Sequence, residues 1–415
     1  MIERTTETTP TTAAERLDWL AAASARVPVP EGELRELVAP ALLDASGGPD
    51  GFNATAAAMG PIVVTRLVAA RHDRAQAIVR SGSGSGDLLL TVRIDPASRV
   101  DHVAMTAEQT PPASWAELDD RLAALPGRVS FAAAEITPQG CHVVHGLRQD
   151  ALRPTGSVFK LYVLGALGQA VAEDRASWDE LLAVRDEAKS LPSGILQDRP
   201  AGDRLTPAEF AVAMMSVSDN TATDHLIHRL GREAVARQFE LFGHQRPAAN
   251  APLLTTRAFF QLKYVRAHAH RYLSAPAHER AAVVEGLERL PLPDTSPPWT
   301  EPRDIDRIEW FASPVDVCRA YAGLLRLDQP EIDRALSLAD GGLNLDLSRF
   351  PTVWSKSGSE PGVVTLSHLV RTPDGRALAV GLLVSDPDTA PDPAAVLTTG
   401  QAVVRGAFHL LAAPR

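Results

Sequence analysis

Two groups of apolar, β-branched segments stand at opposite ends of a long helical stretch, and this arrangement limits the chain to few folds. RVSFAAAEI (128–136) and GCHVVHG (140–146) come first, and TVWSK (352–356), VTLSHLVRT (364–372) and ALAVGLLVS (377–385) come last. The residues between read as strongly helical. A pair of strands is marginal alone. The spacing therefore predicts one sheet assembled from both ends of a domain, with a helical insert and a terminal helix over AAVLTTGQAVVRGAFHLLAAP (394–414).

A different pattern precedes it. Residues 12–60 read as helices, through TAAERLDWLAAASARV and then PEGELRELVAPALLDA, where Pro30 suits a first turn. From Pro61 to Thr106 the chain alternates strand-like runs with turn residues, including a Ser/Gly tract at 81–86 that no phosphate-loop Lys follows. Helices followed by an antiparallel sheet predict a cone-shaped α+β domain over residues 1–110. Pro111 and Pro112 mark a linker, and a helix near 114–125 opens a second domain at 113–415. The fold class expected is α+β in both domains, without repeats or heptads.

Charge and cysteine content narrow the function. With 41 basic and 51 acidic residues the net charge is −10, and the Arg residues are scattered, which speaks against a nucleic-acid or anionic-membrane partner. Small neutral or anionic substrates remain. Cys141 and Cys318 are single and far apart, so the sequence predicts neither a disulfide framework nor a Cys-based metal site. His268 and His270 are two apart and do not share a helix face, and no metal or cofactor is expected. The N-terminus shows no apolar secretory core, so the expected placement is cytoplasmic. Among 41 basic residues only Lys160, Lys189, Lys263 and Lys356 are Lys. Arg-rich coding explains the bias, yet each Lys is of interest because burial can neutralise Lys and not Arg.

Three short motifs carry chemistry. In RPTGSVFKLYVLGALGQA, Ser157 and Lys160 are three apart at a helix start, so the amine falls on the hydroxyl's face and the helix N-terminus lies beside any developing oxyanion. A desolvated Lys160 would take the Ser157 proton. The bland alternative is a capping Ser and a solvated Lys, which the apolar surroundings of Lys160 disfavour. Ser218-Asp219-Asn220 follows the helical PAEFAVAMMSV and by itself reads as a helix cap. Lys356-Ser357-Gly358 ends an apolar strand, where the Lys and Ser suit a substrate carboxylate and the Gly a close approach of substrate to backbone. S-x-x-K, S-D-N and K-[ST]-G are rare together by chance and here occur in that order.

The trio resembles the serine penicillin-recognising enzymes, class A β-lactamases and penicillin-binding proteins, over residues 113–415. The resemblance implies a β-lactamase/transpeptidase-like fold, with Ser157 the acylated nucleophile and Lys160 its base. It further implies that Ser218 relays a proton, Asn220 holds Lys160 and a substrate amide, and Lys356, Ser357 and Gly358 receive a carboxylate. The backbone N–H groups of Ser157 and Ser359 would form the oxyanion hole. One departure matters. Class A enzymes deacylate through a Glu in the loop after the S-D-N helix, whereas FGHQRPAANAPLLTTRAFFQLK has no Asp or Glu between Gly243 and Lys263, and Glu240 ends the preceding helical stretch.

The extra N-terminal domain, with SLPSG and IEWFASPVDVCRA, resembles the two-domain β-lactamase-like protein of clavulanic-acid gene clusters, which implies an N-terminal fold like nuclear transport factor 2 or steroid isomerase (NTF2-like). It also implies poor β-lactamase turnover and esterase activity. The leading expectation is a serine acyl-enzyme hydrolase or acyl-transfer enzyme on a small ester, amide or β-lactam. The alternatives are a true β-lactamase or D-alanyl-D-alanine carboxypeptidase, and a non-catalytic metabolite-binding protein. His368 and Arg371 are further candidates for a substrate carboxylate, and Lys189 for the mouth of the site.

Overall fold

A computed structural model describes residues 12–413 apart from 71–73, 85, 86, 108, 340, 344 and 347. The N-terminal leader reading at residues 1–11 and the end of the Ser/Gly tract at 85–86 lie outside the described residues. Two compact units form, Met1–Thr110 with Asn344–Leu347, and Pro111–Leu343 with Ser348–Arg415.

In the first unit α1 (Ala13–Ser24) starts at a reciprocal cap between Thr12 and Glu15. The stretch 30–45, expected to be continuous helix, is two helices, α2 (Glu31–Leu37) and α3 (Pro40–Ala45). Pro40 drives Ala39 to extended backbone and breaks the run. After α4 (Gly48–Met59) come β1 (Ile62–Ala70), β2 (Arg74–Ser81), β3 (Asp87–Ile94) and β4 (Val100–Ala107), an antiparallel meander in sequence order. Leu17 and Leu20 of α1 pack with Val79, Leu90 and Val92 of the sheet. An apolar cavity of about 210 Å³ opens among Leu20, Val29, Phe52, Met59, Leu90 and Val103.

The second unit opens with α5 (Trp115–Ala124), β5 (Arg128–Thr137) and β6 (Gly140–Leu147). The short β7 (Arg153–Pro154) leads into α6 (Lys160–Ala172). The insert continues with β8 (Leu182–Ala183), β9 (Arg204–Leu205), α7 (Pro207–Ser216), α8 (Asn220–Leu230), α9 (Arg232–Leu241), α10 (Thr256–Tyr264), α11 (Arg266–Ser274) and α12 (Arg280–Glu288). Then follow β10 (Phe311–Ala312), α13 (Pro314–Leu327), α14 (Pro330–Ser337), β11 (Thr352–Glu360), β12 (Val363–Arg371), β13 (Ala377–Ser385) and α15 (Pro393–Leu411).

The sheet order is β11-β12-β13-β5-β6, antiparallel throughout. Strands from both ends of the unit meet where Leu382 faces Phe131, as the spacing predicted. Gly400 lets α15 settle on Leu366 and Leu382, while Gly381, pointing the other way, faces Pro314 of α13. The sheet is therefore covered by helices on both faces, and α6 is buried nearly all round behind it.

One expectation is corrected. Cys141 on β6 and Cys318 at the heart of α13 form a disulfide, with Cα atoms 6.2 Å apart across 177 residues of sequence. Separation along the chain says nothing about proximity here, because α13 crosses β5 and β6. The fold does carry a staple, and a cross-link over so long a loop contributes typically about 2–4 kcal/mol. Among the described residues no helix is long and apolar enough to cross a membrane.

Candidate active site

The position of Ser157 follows from a local break in the backbone. Gly156 takes φ +50°, and the chain turns through one 3₁₀ turn, Gly156–Phe159, directly into α6. Ser157 is half-exposed on this turn while Val158, Phe159 and Lys160 are buried. The predicted spacing thus places Ser157 in the cleft and threads Lys160 beneath it.

Ser218 sits between helices α7 and α8 with φ +57°, a conformation that costs a non-glycine residue strain and is held by its surroundings. Those surroundings are explicit. Asp219 caps α8 through Ala222 N (2.7 Å), and its other oxygen accepts from Ile195 N (2.7 Å) and Leu196 N (2.8 Å). Asn220 donates to Leu191 O (3.0 Å), and Ser193 Oγ donates to Ser218 O (2.8 Å). The SLPSG loop is therefore the brace of the S-D-N turn, and Lys189, expected near the mouth, pairs with Asp186 at 2.8 Å.

Two lysines converge on Ser218. Lys160 Nζ donates to Ser218 O and to Asn220 Oδ1, both at 2.7 Å, and lies 3.2 Å from Ser218 Oγ. Lys356 Nζ donates to Ser357 O (2.7 Å) and meets Ser218 Oγ at 3.0 Å. Burial holds the Lys160 amine well below its ordinary range, and the Lys356 charge lowers it further. A neutral amine has two N–H bonds and one lone pair; with both N–H bonds engaged by carbonyl oxygens, the lone pair is left for a hydroxyl proton. Burial also lowers Lys356, to about 7.

Gly358 has a reason beyond substrate approach. A Cβ there would lie 2.6 Å from Ser157 N and collide with Thr155 O, and a Cβ on Gly156 would lie 3.0 Å from Ser359 N. The strand end and the Ser157 turn touch through bare backbone. Ser157 and Ser359 stand at the junction of two cavities: one of about 380 Å³ contains Ser218, Lys356, Ser357 and Gly358, and one of about 320 Å³ contains Asn220, Phe259, Tyr264, Trp299, Glu309 and Glu360.

All the predicted site residues, Ser157, Lys160, Ser218, Asn220, Lys356, Ser357, Gly358 and Ser359, thus gather at one cleft. His368 is buried within β12, and Arg371 stacks over Trp354 at 5.6 Å; neither lines the two cavities. Glu240, at the end of α9, is exposed and also lines neither. No cluster of metal-binding residues occurs among the described residues.

Sequence reasoning missed Asp224, Glu309 and Glu360. Asp224, raised to about 7 by burial, caps α10 from α8 through Thr256 N (2.7 Å) and Arg257 N (2.8 Å). Glu309 and Glu360 carried no motif; the one signal was Lys263, a rare Lys that proves fully buried against Glu360 at 2.8 Å.

The charge state of Lys356 makes a testable statement about substrate. Its folded value lies below that of a free amine, so the ammonium is present below about pH 7 and is lost as pH rises through it. If Lys356 receives a substrate carboxylate, KM for such a substrate should therefore rise above pH 7 by up to about tenfold per unit, while the matching neutral ester should show a flat KM. Steady-state kinetics on such a pair between pH 5.5 and 9 measures this; parallel profiles would remove Lys356 as the carboxylate's partner.

Comparison with known proteins bears on the fold and the family. The β-lactamase from Sphaerobacter thermophilus shares 20% identity and superposes with a TM-score of 0.52, covering 72% of this chain and 97% of its own. PBP-A is 19% identical with a TM-score of 0.48 (73% and 100% covered), and a point mutant of PBP-A, solved as an acyl-enzyme complex with penicillin G, is 18% identical with 0.46 (72% and 99%). No curated protein matches the chain. The model of Beta-lactamase2, the beta-lactamase enzyme family, matches residues 113–405, and the chain belongs to that family.

Proposed function

We propose that the protein is a serine hydrolase that forms an acyl-enzyme on Ser157 with a small ester, amide or β-lactam and releases β-lactam products slowly. The observation that carries this is the pair of amines on Ser218 Oγ, 3.2 Å from Lys160 and 3.0 Å from Lys356, beside the Ser157 turn. Lys160 takes the Ser157 proton as Oγ attacks the carbonyl carbon. Ser157 N–H and Ser359 N–H receive the oxyanion. Ser218 passes a proton toward the leaving nitrogen or oxygen, and Lys356 with Ser357 holds a carboxylate. Asn220 keeps the Lys160 amine in place.

Slow release follows from the carboxyl groups. Among the residues lining the cleft, the carboxyls are Glu309 and Glu360, and burial raises both, Glu309 well above its ordinary range. Glu309 Oε2 is engaged by Gly156 N and Trp310 N and Glu360 Oε1 by Lys263 Nζ, so neither carboxyl stands as a free base for water. The reading extends to an esterase-like role in secondary metabolism, as in the clavulanic-acid relatives, with a cone-shaped NTF2-like N-terminal domain. The four helices, the meander and the apolar cavity of residues 1–110 fit that domain.

A second reading is favoured by the Cys141–Cys318 bond, since disulfides persist mainly in oxidising compartments. An exported β-lactamase or D-alanyl-D-alanine carboxypeptidase would carry such a bond more readily than the cytoplasmic enzyme first expected. Intact-protein mass spectrometry after mixing with a penicillin and a 3′-acetoxy cephalosporin separates the two. An adduct persisting for hours is expected. Complete turnover within seconds would sink the slow-release reading, and untouched compounds with no adduct would favour a binding protein.

A further inference from the structure

Three buried ionisable groups lie behind the Ser157 turn and take no part in the steps above. Glu309 precedes β10, which pairs with β7 just upstream of the nucleophile. Its Oε2 accepts from Gly156 N (3.2 Å) and from Trp310 N (2.6 Å). Trp310 O in turn accepts from Thr155 N (2.9 Å), and the Trp310 ring stacks on Phe159 with centroids 3.8 Å apart. Glu360 directly follows Ser359, and its Oε1 accepts from Lys263 Nζ at 2.8 Å. Lys263 Nζ also donates to Arg303 O (2.7 Å), and the Arg303 guanidinium donates to Lys263 O (2.8 Å).

The remaining oxygens, Glu309 Oε1 and Glu360 Oε2, are buried without a partner, although the two carboxyls interact with one another. A single proton between them satisfies both. It also balances the charge, leaving one carboxylate for one ammonium where the side chains are almost wholly buried.

We propose that Glu309 and Glu360, sharing one proton and countered by Lys263, are positioning residues that hold the Gly156–Ser157 turn against the Ser359–Glu360 strand end and so fix the spacing of the two oxyanion-binding N–H groups. This rests on the acyl-enzyme reading above. The geometry is that of a clamp: one jaw grips the residue before Ser157, the other grows from the residue after Ser359, and the shared proton closes them. Burial raises the Glu309 carboxyl well above its ordinary range and the neighbouring Glu360 charge adds to the rise, in the direction that favours a retained proton. Because formation and breakdown of an acyl-enzyme both pass through an oxyanion, the clamp serves both steps equally. A water-activating base would serve only the second.

The test compares the full-length parent with Glu309→Gln and Glu309→Ala. A Gln supplies an acceptor for Gly156 and Trp310 and an N–H for Glu360, mimicking the protonated acid, so it should keep near-parental rates of labelling by a fluorescent penicillin and of label release. The Ala variant should slow labelling and release by a similar factor, about 10²–10³, as for loss of an oxyanion donor. Hydrogen exchange by mass spectrometry should show faster exchange at both Gly156–Ser157 and Ser359–Glu360 in the Ala variant only. Release slowed alone in the Gln variant would make Glu309 a base and overturn the clamp. Parental exchange at Ser359–Glu360 in the Ala variant would overturn it as well. If the parent takes no label, the acyl-enzyme reading fails and the exchange data still decide the clamp.

Discussion

Ser157→Ala should take up no covalent label from a penicillin or a cephalosporin, while the parent gains the mass of one acyl group. The expected loss is about 10⁶-fold in any acyl-transfer rate, the size seen when a serine nucleophile is removed and only the binding groups remain. The fold should be untouched, because the turn is set by Gly156 and by the Thr155 bonds to Trp310 rather than by the Ser157 hydroxyl. Matched thermal midpoints would make the loss a chemical one. Labelling that survives would move the nucleophile elsewhere in the cleft, with Ser218 the next hydroxyl within reach of both amines.

Lys160→Met should also be damaging, for a different reason. The side chain is fully buried, so Met replaces most of its volume, yet the lone pair that would receive the Ser157 proton is gone. General-base removal is expected to slow acylation by about 10²–10⁴-fold. A stability loss should accompany it, because Ser218 O and Asn220 Oδ1 give up the donor that both now share. The pH profile gives the sharper sign. Burial depresses the amine, so the neutral, base-competent form is present above its lowered pKa, and parental acylation should fall on acidification while the Met variant shows no such limb. Near-parental acylation by the Met variant would hand the base role to another group.

The candidate site was legible in sequence because its motifs are local. Ser157 and Lys160 are one turn apart, and the S-D-N and K-S-G motifs each place their functional atoms within three residues. The sheet was legible through short apolar, β-branched runs at both ends of the second unit, which the structure buries along nearly their whole length. What was hidden depends on contacts with no local signature. Cys141 and Cys318 meet only because α13 crosses β6. Glu309, Glu360 and Lys263 come from three separate elements. The scarcity of Lys was a faint pointer, since in an Arg-rich chain Lys160, Lys263 and Lys356 all prove to be interior.

The contact of Gly358 with the Ser157 amide also bears on when the protein becomes chemically competent. The two sides of the proposed oxyanion site are separated by some two hundred positions of chain, and the later side arrives only with β11, after the helical insert has been made. A ribosome-bound chain that ends before residue 352 contains Ser157 and Lys160 but no opposing strand. Long-range pairings of this kind form late because closing the intervening loop must come first. On the acyl-enzyme reading proposed for Ser157, nascent or half-folded molecules therefore do not display a reactive serine, and covalent labelling counts completed ones.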